Sequence, residues 1–256
     1  MFKSFQKGQQ FKAFPALNFQ MNNEAYGFSG CTFWLDAAWG LNTQTNLAAV
    51  SSWTDKIGGL TFAQSTAASQ PRLQTSDSSF NLNPVVDFNT TGRGLLASNG
   101  IGVKSGTLVM VYQYISSATG TSYSSRLISN GDQSNVRAAG IGYFWNRNNN
   151  GSILNETGFY SGGIVANATS VDEYDTAAKI SIVNPNFWYS NGLPVTITTG
   201  SLSLIQAFSF NTIGGAGFVA FSGVFKVAEI IYYNRPLTSD EITTLSSLLN
   251  TKYAIY

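Results

Sequence analysis

Apolar and polar positions alternate in short runs along most of the chain. The strongest run is Thr107 to Tyr114, TLVMVYQY, nearly continuous in β-branched, large aliphatic and aromatic residues. Such a run predicts a strand buried on both faces, at an inner position of a sheet. Shorter strands are predicted over Thr32–Asp36, Pro84–Phe88, Arg137–Trp145, Lys179–Val183, Phe187–Ser190, Leu193–Thr198, Leu202–Phe210 and Gly223–Tyr233. Asn191-Gly192 sits between two of them and is a two-residue hairpin signal, because both residue types accept positive φ. Ala48–Asp55 reads as turn-like, and Gly158–Gly163 and Ile213–Gly217 read as turns. The period changes once. Thr238-Ser239-Asp240-Glu241 is a capping box, and Ile242, Leu245, Leu248, Leu249 and Tyr253 then recur at helical spacing, with Lys252 near the negative end of the dipole. Many short strands with regular turn signals and one terminal helix predict an all-β fold. It is a two-sheet antiparallel β-sandwich with one C-terminal helix as its cover.

The first thirty residues do not follow this pattern. Phe2, Phe5, Phe11, Phe14 and Phe19 are interleaved with Lys3, Lys7, Lys12 and several Gln, and no acid precedes Glu24. The spacing fits neither period for long. Residues 1–30 are therefore read as an extended N-terminal arm, and residues 31–256 as one domain. Five phenylalanines on irregular chain leave costly apolar surface in an isolated monomer. The arm reading lays them on a partner, which is compatible with a homo-oligomer; the plainer reading is a first strand with a frayed end.

Composition narrows the chemistry. The 256 residues carry 14 Lys+Arg and 13 Asp+Glu, a net charge of +1, with no histidine and one cysteine, Cys31. Without histidine there is no Ser-His-Asp triad, no HExxH zinc helix and no histidine pH switch. One cysteine makes no internal disulfide and no multi-cysteine zinc site. The balanced charge argues against a nucleic-acid backbone as partner. Only 11% of residues are charged, so Ser, Thr, Asn, Gln and Gly must solvate the surface. No continuous apolar segment near the start reads as a secretory signal, and no stretch reads as a membrane span. No cofactor is expected.

The order of several motifs resembles the laminin-G-like or concanavalin A-like jelly-roll family. Phe33-Trp34-Leu35-Asp36-Ala37, Val50-Ser51-Ser52-Trp53-Thr54-Asp55-Lys56, Gln70-Pro71-Arg72-Leu73 and Pro84-Val85-Val86-Asp87-Phe88 are similar to its entry half. Ala228-Glu229-Ile230-Ile231-Tyr232-Tyr233-Asn234-Arg235-Pro236-Leu237-Thr238 and the helix are similar to its exit half. The resemblance spans about residues 31–253 and implies a jelly-roll sandwich. The family includes lectins, glycoside hydrolases, adhesion modules and parts of phage and viral particles, so it does not fix a function.

Asp36, Asp87 and Glu229 lie in or at the ends of apolar strands. They are read as structural carboxylates, bonded to turn amides or to bases such as Arg235 or Arg72. Trp34, Trp53 and Phe88 read as core. Glucan-cutting members of the resembled superfamily carry E-x-D-x-x-E on one strand. Here Glu173-Tyr174-Asp175 is followed by Ala178 and reads as a solvated turn, with Ca2+ as the minor alternative. No catalytic residue and no metal ligand are assigned. For a glycan the candidates are Tyr143, Trp145, Asn146, Arg147 and Asn148, where aromatic rings adjoin amide and guanidinium donors, and Trp188 beside the Asn191 turn. The plain alternative is an Asn-rich hairpin loop. The leading expectation is a non-enzymatic module of a virus or phage particle (a capsid decoration, fibre or tail component), assembled in a host cytoplasm and anchored to other virion proteins by residues 1–30. The alternative is a glycan-binding lectin or adhesin domain that recognises a host surface. A glycoside hydrolase ranks third.

Overall fold

The computed structural model describes residues 24–88, 93–103, 105–116, 124–129, 142–147, 156–161, 164–169, 176–197, 199–200, 209–214 and 224–256. In chain order the strands are β1 (Glu24–Ala25), β2 (Phe28–Ser29), β3 (Cys31–Asp36), β4 (Ser52–Thr54), β5 (Thr61–Ala63), β6 (Arg72–Asp77), β7 (Asn83–Phe88), β8 (Gly94–Gly102), β9 (Thr107–Ser116), β10 (Ser124–Ser129), β11 (Gly142–Arg147), β12 (Glu156–Ser161), β13 (Ile164–Thr169), β14 (Ala178–Val183), β15 (Trp188–Ser190), β16 (Leu193–Pro194), β17 (Thr199–Gly200), β18 (Ser209–Gly214) and β19 (Val224–Tyr233). Among the described residues there is one α-helix, α1 (Ser239–Tyr253), beside two single 3-10 turns at Ala67–Ser69 and Ser78–Phe80.

Two sheets carry the sandwich. One runs β17-β13-β12-β11-β10-β18-β8-β5-β4; the other runs β16-β15-β14-β9-β19-β7-β6. β3 shares one edge of β19 with β7: Glu229–Tyr233 pairs with β3 and Phe225–Val227 with β7. All the pairings are antiparallel, as the alternating pattern predicts. β9 lies between β14 and β19, and its residues from Thr107 to Tyr114 are all buried. That is the inner position read from TLVMVYQY.

Two apolar layers explain why β9 and β19 bury both faces. Phe33, Trp53, Phe62, Phe88, Leu95, Leu127, Ile128, Phe210, Ile213 and Phe225 fill the space between the sheets. Phe88 stacks on Phe225 at 4.7 Å and Phe33 meets Phe210 edge-on at 5.7 Å. The second layer, with Val85, Val109, Val111, Ile180, Ile182, Ile231 and Tyr233, lies under α1. Ile242, Leu245, Leu249 and Tyr253 of the helix are at most 1% exposed. Burial of each is worth about 1.5–3 kcal/mol, which holds a 15-residue helix that would be marginal alone. Leu248 is 41% exposed and falls off this face. The capping box is formed: Thr238 Oγ1 accepts from the Glu241 amide at 3.3 Å, and Glu241 accepts from the Thr238 amide at 2.8 Å.

Residues 24–30, grouped by sequence with the arm, pack on the domain itself. Ala25 is fully buried and its carbonyl accepts from the Tyr233 hydroxyl at 2.8 Å. The Asn234 amide donates to the Gly30 carbonyl at 2.8 Å. Gly30 has φ +86°, and a Cβ there would lie 2.9 Å from Asn234 Oδ1. The five arm phenylalanines, Phe2, Phe5, Phe11, Phe14 and Phe19, lie outside the described residues. Three local readings are corrected. Gly158–Ser161 belongs to β12 and Ile213–Gly214 to β18, where cross-strand pairing overrides the glycine signal. The turn-like Ala48–Asp55 contains the short strand β4.

Candidate functional site

The strand carboxylates are the described groups with most capacity for chemistry. Glu229 has no exposed surface. Its Oε1 accepts from Tyr26 Oη at 2.7 Å, from Tyr253 Oη at 2.6 Å and from Lys252 Nζ, and its Oε2 from Trp34 Nε1 at 3.2 Å. Burial pushes its carboxyl up, against the opposing pull of Lys252. Asp36 accepts from the Ala38 amide at 2.9 Å and from Lys56 at 3.1 Å. Lys56 also lies 3.8 Å from the centre of the Trp34 ring. Trp34 is thus part of this polar knot, while Trp53 and Phe88 are core. Asp55 closes its own turn through the amides of Ile57, Gly58 and Leu60 at 2.6–2.8 Å. Asp87 accepts from Gln74 at 2.5 Å and leaves Oδ1 buried without a partner. Burial raises its carboxyl, offset by Lys226. Arg235 takes Glu241 instead, through two bonds of 2.6 and 2.8 Å. These groups tie elements together. Among the described residues no three carboxylate or thiol groups converge to hold a metal ion.

A groove opens elsewhere among the described residues, between the β15–β16 hairpin and α1. Its volume is about 840 Å³. Asn191 at φ +49° and Gly192 at φ +77° make the turn that the dipeptide predicts. Asn191 is fixed from both sides, since its amide donates to the Ile180 carbonyl and its Oδ1 accepts from the Ile180 amide, each at 2.9 Å. The opposite wall is set by a fold-back after the helix. Asn250 Oδ1 accepts from the amides of Ile255 and Tyr256 at 2.9 Å, and its Nδ2 donates to the Tyr256 carbonyl at 2.5 Å. This places the Tyr256 hydroxyl over the helix, donating to the Ser246 carbonyl at 3.2 Å. A Cβ on Gly192 would lie 2.9 Å from that hydroxyl, so the turn and the ring touch.

The side chains of the lining are uncharged apart from one. Ser190, Asn191, Thr196, Thr243, Ser247 and Asn250 supply hydroxyls and amides, and Leu193, Pro194, Val195 and Tyr256 supply apolar surface. Tyr256 is 51% exposed and Leu193 70%. Lys179 is the exception and is buried at 3% exposure. Ser246 lines the groove with its Oγ buried and unpartnered. A ring beside neutral hydroxyl and amide groups can take the CH face of a sugar while bonding its hydroxyls.

Of the residues that the sequence proposes for a glycan, four share one strand and Trp188 is set apart from them. Tyr143, Trp145, Asn146 and Arg147 lie in β11, in the middle of the nine-stranded sheet. Trp145 is in register with Arg126 and Gly158. Asn148 lies outside the described residues, as do Glu173 and Asp175. Trp188 is in the other sheet, only 2% exposed, with its indole donating to Ser181 Oγ at 2.9 Å. Its ring belongs to the core and offers no open face. The Asn191 turn was legible; Tyr256, Ser246 and Asn250 were not, because only the fold-back brings them to it.

No protein-family model and no curated protein sequence matches the chain. Solved structures do. The binding domain of Paraclostridial Mosquitocidal Protein 1 is similar with a TM-score of 0.53 and 11% identity, over 85% of this chain and 52% of that one. Trypanosoma rangeli sialidase is similar with a TM-score of 0.46 and 15% identity, over 87% of this chain and 33% of its own. The Ruminococcus gnavus IT-sialidase CBM40 bound to alpha2,3 sialyllactose has a TM-score of 0.40 and 14% identity, over 57% of this chain and 83% of that one. The chain spans about a third of the length of the sialidase chains it matches. At 11% identity the likeness to the mosquitocidal binding domain establishes the β-sandwich fold alone.

Proposed function

We propose that this sandwich is a glycan-binding module and that the groove between the β15–β16 hairpin and α1 holds the sugar. One observation carries the reading: a groove of about 840 Å³ pairs a half-exposed Tyr256 ring with neutral hydroxyl and amide side chains. The sandwich also serves as the frame of domains described by binding alone, so the role asks nothing unusual of the fold. The role in this reading is binding without turnover; Asp36, Asp77, Asp87 and Glu229 are buried in structural bonds. The reading as a particle component rests on the arm, residues 1–30, of which 24–30 pack on the domain, and on the family resemblance. It is compatible with this one, because a sugar-binding module can be carried by a larger assembly.

A glycan array followed by calorimetry tests the reading. The Tyr256→Ala protein should lose tenfold or more in affinity, about 1.4 kcal/mol. The Trp145→Ala and Arg147→Ala proteins should keep theirs. Loss in the β11 variants with none in Tyr256→Ala would move the ligand to β11, and hydrolysis of a bound glycan would replace binding by catalysis.

A further inference from the structure

We infer that the groove selects uncharged glycans over acidic ones such as sialylated or uronic-acid-bearing chains. This inference rests on the glycan reading above and adds its ligand class.

The argument is one of charge. An acidic sugar brings a carboxylate that must exchange its hydration for charge-assisted donors, most effectively an arginine fork. Among the described residues the groove lining contains no arginine. Its sole cation, Lys179, is 3% exposed and already engaged by other groups. The one ammonium of the helix, that of Lys252, is held by Glu229 and Asp36. The last turn of α1, which carries Asn250, borders the groove. Carbonyl groups at a helix C-terminus carry partial negative charge, so this wall repels an anion. A bare carboxylate entering here would lose water and gain no compensating charge.

A neutral sugar meets the opposite situation. Asn191 uses its Oδ1 on the Ile180 amide, and among the described residues its Nδ2 meets no acceptor. Ser247 and Thr196 present hydroxyls at the opening. Thr243 donates to the Ser239 carbonyl at 2.9 Å and keeps its oxygen as an acceptor. These groups both donate and accept, as sugar hydroxyls require. Tyr256 and Leu193 offer the apolar surface for the CH face.

The test uses the full 256-residue protein on an array of neutral, sialylated and uronic-acid glycans. Calorimetry then compares pairs identical except for the terminal acid. The neutral member of each pair should bind at least tenfold more tightly. Ser247→Arg, at an exposed helix position, should narrow that ratio by threefold or more by supplying the missing guanidinium. Equal or tighter binding of the acidic members would overturn the inference and leave the glycan reading standing. A neutral preference that ignores both Ser247→Arg and Tyr256→Ala would overturn its assignment to the groove. Binding of no glycan of either kind would overturn the glycan reading itself, and the inference with it.

Discussion

The Tyr26 hydroxyl donates to Glu229 Oε1 at 2.7 Å, joining residues 203 positions apart. The same carboxylate takes Tyr253 and Lys252 from α1 and Trp34 from β3. One buried acid therefore fastens the N-terminal hairpin, the sheet and the helix. The donors differ in what their loss should cost. Tyr26→Phe removes one of several bonds to a charged group and should cost about 1.5–3 kcal/mol. Lys252→Met leaves the buried carboxylate without its cation and should cost about 3–5 kcal/mol. Urea unfolding at neutral pH ranks the two. Equal losses would mean that the ion pair contributes no more than a single hydroxyl.

Two glutamates should shape the acid limb of stability with opposite sign. Glu241 is held down to about 2, first by its bonds to Arg235 and further by the Thr238 amide. A carboxyl lowered in the folded state stabilises above its unfolded value, near 4.3, and that contribution is lost as pH falls toward 2. Glu229 is raised by burial, so protonation favours the folded state and its contribution grows on acidification. The Glu241→Gln protein, which keeps a capping side chain, should be less stable than the parent at pH 7. The gap should close between about pH 5 and pH 2. A gap independent of pH, measured by thermal unfolding across that range, would assign the effect to packing rather than charge.

The sandwich was legible because its signals are local. Period-two runs, Asn191-Gly192 and the Thr238–Glu241 box each name their own geometry, and β3, β7, β9, β14, β19 and α1 appear where they are read. β12 escaped because Gly158 looks like a turn, although its pairing with β11 and β13 makes it a strand. The site was less legible for the same reason. Trp188 beside a hairpin turn looks like a sugar platform, yet the pleat turns its ring into the core. The groove depends on Asn250 folding residues 254–256 back on the helix, and nothing in Asn250 or Tyr256 announces that by itself.

The phenylalanine-rich segment should be separable from the domain. The described packing begins at Glu24, and Ala25, Tyr26 and Phe28 already close the layer under α1. A protein lacking residues 1–23 should keep its unfolding midpoint in urea within experimental error and retain glycan binding. If residues 1–23 anchor the chain to a partner, the truncated protein should fail to co-sediment with that assembly. Normal incorporation would remove the anchoring role.

Gly192 should link the fold of the hairpin to the state of the groove. It sits at φ +77°, where a side chain is strained, and a Cβ would lie 2.9 Å from Tyr256 Oη and 3.2 Å from the ring carbon that bears it. The ring is the part able to yield, because its hydroxyl is held to Ser246 only at 3.2 Å while the turn is bonded to Ile180 at 2.9 Å. Gly192→Ala should therefore cost about 1 kcal/mol of stability through backbone strain. It should also displace Tyr256 and weaken sugar binding to nearly the extent of Tyr256→Ala, although it removes no atom from the groove. A double variant carrying both changes should bind no more weakly than Tyr256→Ala alone, since both act through one ring. Additive losses in calorimetry would show that the turn contributes to the ligand independently of the tyrosine.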